Sequence, residues 1–402
     1  MLKIHSEPSK PSLPHQGPAI LALGFRPFFS VAGLAAVILL GIWLVAWSGQ
    51  LSLPAYYGFI GWHSHEMLFG YTPAIIAGFL LTAVRNWTGI TPPIGRPLAG
   101  LVALWLAGRT APLLYGIVPE MVIAITDLVF LPAIALAIKP ALWQGKQKVN
   151  RIFVPLLLVM AVANLLVHLQ ALGLSNSAAQ GNDMMLYLIV FLIVMIGGRV
   201  LPFFTQAVIP GHKAVSRQPV EMTATISLGA LALVQPLYPE PWLIAILAAI
   251  SAIAQLVRLA GWHHPQVWRS PILWVLYSGF CWIIIGLVLT AVAPTGVASA
   301  NLANLAKHAL TVGGVGVLTL GMIARVSLGH TGRPIQPGKL MGIAFILLNL
   351  AALCRVFGPL LLPYLYTLWI DVSGGLWILC FLVFCAIYLP ILWRPRVDGA
   401  PG

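Results

Sequence analysis

Charged side chains are scarce in this sequence. Only 8% of its 402 residues are Asp, Glu, Lys or Arg, whereas 60% are hydrophobic. A soluble globular protein carries roughly 25% charged residues. A soluble fold could not hide this much apolar surface, but a lipid bilayer can. The composition therefore excludes an ordinary soluble protein and favours an integral membrane protein surrounded by the lipid bilayer.

Acidic residues are especially few, with 9 Asp and Glu against 22 Lys and Arg, which gives a net charge of +13. An excess of positive charge is typical of proteins that bind nucleic acids. Here, however, the basic residues lie in short segments between apolar runs and form no continuous basic face. We therefore expect no nucleic-acid partner.

Two further signals are missing from the sequence. The first 18 residues are polar, contain four prolines and lack the apolar stretch of a signal peptide, so residues 1–18 are predicted to be a disordered cytoplasmic tail. The four cysteines lie inside apolar runs, without CxxC or CxxCH spacing. This excludes covalent haem attachment of the cytochrome c type and indicates that the cysteines pack in the core.

Long apolar runs are abundant. A helix needs about 20 apolar residues to cross a bilayer, and twelve runs approach that length. They predict an all-α integral membrane protein with a single membrane domain over residues 19–398. The predicted spans are 30–48, 63–85, 97–115, 118–139, 152–173, 183–206, 221–237, 240–260, 272–293, 303–328, 340–361 and 369–392.

The basic residues fall on one side of these spans. Eighteen of the 22 Lys and Arg residues lie before span one, after span twelve or in loops that follow even-numbered spans. The other loops contain Glu120, Asp183, Glu240 and Asp371, and no Lys or Arg. The positive-inside rule then predicts that the N- and C-termini are both cytoplasmic.

A weak internal repeat accompanies this alternation. Spans two, six and ten each end in an arginine followed by polar residues, at Arg85, Arg199 and Arg325. The arginines are separated by 114 and 126 residues, close to a third of the chain. We therefore predict a pseudo-threefold arrangement of four-helix units, over 19–150, 151–270 and 271–398.

Four histidines are predicted at similar depth near the outer face. His63 and His65 open span two, His168 lies at the outer end of span five, and His308 lies at the outer start of span ten. Polar residues inside a membrane are costly and usually functional, and imidazole suits haem iron, copper and zinc. His63 and His65 point about 200° apart on a helix, so one can face a ligand while the other faces a second partner.

Three charged residues belong to the same predicted region. Glu66 is placed to orient a histidine ligand or to carry protons. Arg109 and Arg355 lie in the outer halves of spans three and eleven. A buried arginine needs an anionic partner, and either haem propionates or Asp127 of span four would serve.

Glycines and aromatic residues allow simpler interpretations. Glycines in spans two and ten, such as Gly70 and Gly313, are predicted to leave room for a flat macrocycle between helices. Tyr56 and Tyr57 lie near the start of span two. Their position is typical of aromatic anchors at a membrane interface.

Several runs together resemble the NnrS family of bacterial membrane proteins. The resemblance covers nearly the whole chain after the tail, and residues 62–70 are its most specific part. It implies a twelve-span inner-membrane protein that binds haem, with copper, and is tied to nitric oxide metabolism or tolerance. It points to His63, His65 and His308 as ligands, with His168 behind them. The runs are residues 24–29, 62–70, 77–83, 86–89, 199–205 and 328–333.

A more distant likeness is to subunit I of the haem-copper oxidases, which also has twelve spans in three groups of four. That family carries haem-ligating histidines on spans two and ten, where His63 or His65 and His308 lie here. Spans six and seven contain no histidine. The oxidase-type copper triad is therefore missing, and copper would need a different site.

The resemblance and the histidines together predict a protein with b-type haem, and with copper as a further metal. It would handle nitric oxide or a similar small gas, either by reduction or by protective binding. Reduction would make it an oxidoreductase similar to nitric oxide reductase and would require an electron donor as partner. The alternative is a secondary transporter of a small solute, although transporters commonly show two halves of six spans.

Reporter fusions test the predicted orientation. Fusions after Gln50 and Ser175 should report the periplasm, and fusions after Pro92, Lys146 and Ala214 should report the cytoplasm, because each pair of neighbouring loops is separated by one span. Two or more fusions on the wrong side would contradict the twelve-span topology.

Overall fold

A computed structural model describes residues 17–53, 56–295 and 301–400. Within these residues, twelve helices are long and apolar enough to cross a membrane, and no strand is formed. The prediction of an all-α, multi-pass membrane protein is confirmed. The helices are α1 Phe25–Trp47, α2 Phe59–Thr88, α3 Arg96–Leu114, α4 Glu120–Gln144, α5 Lys148–Ala171, α6 Ala178–Val208, α7 Gln218–Leu237, α8 Pro241–Trp262, α9 Pro271–Val292, α10 Leu302–His330, α11 Gly338–Leu361 and α12 Pro363–Trp393.

Each helix corresponds to one predicted span, and most extend beyond the apolar run by several residues. The longest helices are α6 and α12, which each have 31 residues. Residues 1–16 of the predicted tail lie outside the described residues. The three four-helix repeats stay a prediction. By its contacts the chain divides into two compact units, and this division does not test whether three repeats are present.

The first unit contains α1–α5, together with residues 326–335 and 384–400 of the chain. Helix α2 is its most enclosed helix, because 89% of its most apolar stretch is buried. It packs against α1 on one side and α4 on another. Side chains of α2 therefore face protein rather than lipid along most of its length.

The second unit contains residues 183–325 and 336–383. Helix α10 is the enclosed helix here, with 78% of its most apolar stretch buried, and its middle part packs against α9 and α11. Other helices keep apolar side chains exposed, such as Ile226 on α7 and Ile253 on α8, each 63% exposed. These outward faces match a lipid environment.

Both enclosed helices contain a π-helical segment directly after a histidine. In α2 the α-helical turns end at His65 and the π-helix covers Glu66–Tyr71. In α10 they end at His308 and the π-helix covers Ala309–Gly316. The π-helix is rare and frequently occurs at functional sites, so these two segments direct attention to the adjoining histidines.

Candidate metal centre

Three buried side chains from different helices converge inside the first unit. His65 of α2 and His168 of α5 are both 0% exposed, and Asp127 of α4 is 4% exposed. One donor atom from each lies within 4.8 Å of the other two. We call His65, Asp127 and His168 the ligand cluster.

The distances within the ligand cluster suit a metal ion. The Nε2 atom of His65 lies 3.1 Å from Oδ2 of Asp127, and Nε2 of His168 lies 3.0 Å from the same oxygen. Ligands bound at about 2.0–2.1 Å to one ion stand about 3 Å apart. Each nitrogen already has about that spacing from the carboxylate oxygen, and all three donor atoms lie within 4.8 Å of one another, so the cluster could hold a small ion.

The remaining imidazole nitrogens also face oxygen atoms. Nδ1 of His65 lies 3.4 Å from Oε1 of Glu66, and Nδ1 of His168 lies 2.9 Å from the hydroxyl oxygen of Tyr56. Histidines that bind metals commonly donate their other ring N–H to an oxygen, which fixes the ring. Without a metal, each Nε2 faces the Asp127 oxygen, which only accepts, so Nε2–H donates to it. On binding a metal, both histidines can switch tautomer, so that Nε2 presents its lone pair and Nδ1–H donates to the oxygen behind it.

Aromatic rings hold the two imidazoles in place. The Tyr57 ring stacks on His65 with centroids 4.0 Å apart, and the Phe69 ring stacks on His65 at 5.1 Å. The Tyr57 hydroxyl oxygen lies 3.5 Å from Nε2 of His168. These contacts restrict how the two imidazoles can turn, and the group they hold together could bind a single ion.

Asn164 completes the hydrogen bonding of Asp127. Its Nδ2 donates to Oδ2 of Asp127 at 2.7 Å, and its Oδ1 lies 3.1 Å from Nε2 of His65. Sequence reasoning missed this residue. It precedes His168 by four residues on α5, so the helical period that puts both on one face was the available signal.

Arg109 of α3 joins the two acids of the site. Its Nη1 donates to Oε2 of Glu66 at 2.9 Å, and its Nη2 donates to Oδ1 of Asp127. Of the two anionic partners that the sequence left open, Asp127 is present, and Glu66 is a second one. With both carboxyl groups ionised, the arginine offsets one of two negative charges, so the site has a net charge of −1. A bound cation would offset the other.

Two glycines make room for this pairing. A Cβ atom on Gly70 would lie 2.8 Å from Nη1 of Arg109, and one on Gly108 would lie 2.9 Å from Oδ1 of Asp127. Both distances are too short for real atoms. The space at Gly70, predicted to accept a macrocycle, is therefore taken by the arginine. At Gly313 the corresponding space is taken by the Trp282 ring, which would lie 2.5 Å from a Cβ atom on that glycine.

The structure places the other predicted site residues elsewhere. His63 points to α1, where its ring stacks on Trp43 with centroids 4.2 Å apart. His308 and Arg355 belong to the second unit, where Nη2 of Arg355 lies 3.1 Å from Nε2 of His308. The structure thus brings together His65 and His168, with Glu66 and Arg109 beside them, and pairs His308 with Arg355 separately.

The tyrosines before α2 take part in the site rather than anchoring the chain at an interface. Tyr56 is 4% exposed and its hydroxyl contacts His168. Burial, with a smaller contribution from the charge of Glu120, raises the pKa of Tyr56. Its hydroxyl therefore keeps its proton at neutral pH. In the sequence, the only sign of this role is that two tyrosines precede two histidines by a few residues. Aromatic residues that anchor a helix at the membrane interface occur in the same position, so the sequence could not distinguish the two roles.

Comparison with known proteins gives one family. A family model described as NnrS protein matches residues 19–396, which is nearly the whole chain. No curated protein matches the chain.

Removing the charge of Asp127 should destabilise the first unit. Asp127→Asn keeps the shape of the side chain but leaves Arg109 with Glu66 alone, and breaking a buried ion pair costs about 3 kcal/mol. We expect a clearly lower thermal unfolding temperature of the purified protein in detergent. Asp398→Asn is the control, because Asp398 pairs with Arg396 at 2.6 Å on the surface, where it is 43% exposed. Equal unfolding temperatures for the two variants would contradict the structural role of Asp127.

Proposed function

The chain belongs to the NnrS family, and from this premise we propose that it is a membrane metalloprotein that handles nitric oxide. The proposed site is the ligand cluster of His65, Asp127 and His168. One observation carries the proposal: two imidazole Nε2 atoms and one carboxylate oxygen converge within hydrogen-bonding distance, and oxygens support both Nδ1 atoms from behind.

The donor set favours a first-row transition metal. Imidazole nitrogen suits copper, iron and zinc, and a carboxylate oxygen is compatible with each. Copper is the metal that the resemblance implies for this family. Three protein ligands leave at least one coordination position free, and a metal there would supply a binding position for a small molecule such as nitric oxide.

The residues around the cluster would hold and move protons. Hydrogen-bond distances connect Glu66 to His65, His65 to Asp127, Asp127 to His168 and His168 to Tyr56. Such a chain supports proton delivery, which reduction of nitric oxide to nitrous oxide requires together with electrons. The electrons would come from a partner protein or a membrane-soluble donor. Protective binding of nitric oxide needs neither, and both modes belong to the proposal.

We further propose that the protein binds b-type haem. The rings of His65 and His168 are enclosed by other side chains, which favours His308 or His63 as the axial ligand. His63 is half-buried beside Trp43, and His308 is half-buried near the start of α10. An axial imidazole on either residue would set the spin state and retention of the haem.

The proposed location is the bacterial inner membrane, with the cluster near the periplasmic face. The distribution of Lys and Arg supports this orientation, because the loops near His65 and His168 are on the side that lacks basic residues. Nitric oxide is small and apolar, so it can reach a buried site through the lipid.

Metal binding is tested on the purified protein by elemental analysis and by titration with Cu²⁺, Fe²⁺ and Zn²⁺. We expect one transition-metal ion per chain at the cluster. His65→Ala and His168→Ala should each weaken its binding by at least about 100-fold, because loss of even a supporting group costs about 10–100-fold. His263→Ala is the control, because this histidine is exposed and accepts a hydrogen bond from Nε1 of Trp268 outside the cluster. If His263→Ala weakens binding as much as His65→Ala, the cluster is not the site.

Haem and nitric oxide binding are tested by absorption spectroscopy. The protein isolated from cells supplied with haem should show a Soret band, which His308→Ala or His63→Ala should remove or shift while the protein still inserts. Nitric oxide should change the spectrum of the haem or the electron paramagnetic resonance of bound copper. A protein with full metal occupancy that shows no response to nitric oxide would contradict the proposed function. Normal haem spectra in all histidine variants would contradict the haem assignment alone.

A further inference from the structure

Between residues 302 and 373, helices α10, α11 and α12 repeat the order and spacing of several features of α2, α3 and α4. Seven α-helical residues, Phe59–His65, precede the π-helix of α2, and seven, Leu302–His308, precede that of α10. A glycine follows five residues after each histidine, at Gly70 and Gly313. The two histidines therefore occupy corresponding positions: each is the last α-helical residue before a π-helix, five residues before a glycine. We call this shared pattern of histidine, π-helix and buried arginine the frame.

The correspondence continues into the next two helices. The helix after each histidine carries a buried arginine: Arg109 is 6% exposed and Arg355 is 8% exposed. The residue 18 positions after Arg109 is Asp127, and the residue 18 positions after Arg355 is Ser373. Asp127 and Ser373 are each the eighth residue of the α-helical segment that contains them, and each is 4% exposed.

The second arrangement lacks both acids of the first. Glu66, the residue after His65, corresponds to Ala309, and Asp127 corresponds to Ser373. Ser373 donates its hydroxyl to the backbone oxygen of Ala351, one helical turn before Arg355. The arginine is therefore present at the corresponding position, while the two carboxylates that neutralise its counterpart are absent from theirs.

The contacts of Arg355 leave its charge uncompensated. Nη2 lies 3.1 Å from Nε2 of His308, and Nη1 has no hydrogen-bond partner among the described residues. A guanidinium group can only donate, so Nε2 of His308 accepts. Nδ1 of His308 lies 2.8 Å from the backbone oxygen of Asn304, to which it donates, so this histidine is neutral. Tyr366 makes a side-chain hydrogen bond with Arg355, and its ring lies 5.7 Å from the guanidinium carbon, but it brings no carboxylate.

We propose that Arg355 binds the carboxylate of a ligand, which takes the place that Glu66 and Asp127 occupy around Arg109. Its Nη1 and the adjoining Nη2 can hold both oxygens of one carboxylate, the geometry for which arginine is suited. Arg355 lies six residues before the end of α11, about 9 Å along the helix. The site is therefore within reach of a small carboxylate from water or of a propionate carried by a macrocycle. It does not depend on the metal centre of the first unit.

The experiment measures the thermal unfolding temperature of the purified full-length protein, free of haem, while sodium acetate replaces sodium chloride at constant ionic strength. We expect a saturable rise with acetate in the wild type. Arg355→Gln should weaken the response about tenfold or more, as expected for loss of a charged hydrogen-bonding partner. Arg96→Gln, at an exposed position, should respond as the wild type does.

Ser373→Asp provides a second, independent variant. It introduces an acid at the position that corresponds to Asp127, so it should remove the acetate response and raise the unfolding temperature without acetate. If the wild type does not respond to acetate, or if Arg355→Gln and Ser373→Asp both respond like the wild type, the proposal is wrong.

Loading with haem distinguishes the two sources of the carboxylate. If a propionate is the natural ligand, haem should abolish the acetate response and Arg355→Gln should bind less haem. If a free carboxylate is the ligand, the response should be the same with and without haem. In either case, the unfolding temperature of His65→Ala should respond to acetate as the wild type does. This control shows that acetate acts at Arg355 and not at the proposed metal centre.

Discussion

The first unit depends on one arginine that is held between two carboxylates inside a membrane protein. Arg109 contacts Glu66 of α2 and Asp127 of α4, so three consecutive helices meet at a single guanidinium group. Charges in this setting are expensive unless they are paired. The pairing fixes Asp127 with one oxygen toward the arginine and the other toward two histidines. The geometry of the candidate metal centre therefore follows from the need to neutralise Arg109.

That His65 and His168 lie at one level could be predicted from the sequence, and their rings do lie 5.6 Å apart, but the direction of each side chain around its helix could not be predicted. Hydropathy and the alternation of basic loops gave twelve spans, and these placed His65 and His168 at one level. Which of His63 and His65 would face the centre depends on how α1 and α5 pack around α2. Contacts with Trp43 and Tyr57 decide which of the two histidines faces the centre. The periodicity of the sequence does not show that these aromatic residues pack against the histidines.

The residues that sequence reasoning missed share a physical reason. Asn164 and Tyr56 are uncharged, so their presence in a membrane segment or beside it costs less than that of an ionisable residue and marks them less clearly. Their role is visible only in the structure, where Asn164 contacts His65 and Tyr56 contacts His168. The same limit applied to the glycines: the sequence showed small residues on α2, but only the packing shows that Arg109 fills the space at Gly70.

The two units contain the same frame with different contents. In the first, a histidine, a π-helix and a buried arginine are accompanied by two acids, so the charges are balanced within the chain. In the second, His308, a π-helix and Arg355 occur without those acids. The two frames thus share the cationic residue but not the anionic ones, so the charge of Arg355 requires a partner from outside this frame, whereas that of Arg109 does not.

The position of Arg109 has a consequence for how the chain enters the membrane. Helix α3 has a mean hydropathy of 1.3, against 2.5 for α1, and it carries the arginine in addition. A helix of this kind partitions poorly into lipid by itself. Glu66 is already present in α2 when α3 is synthesised, whereas Asp127 arrives only with α4. We therefore expect α3 to be inserted together with its neighbours, as part of a hairpin whose charges cancel, rather than as an independent transmembrane segment.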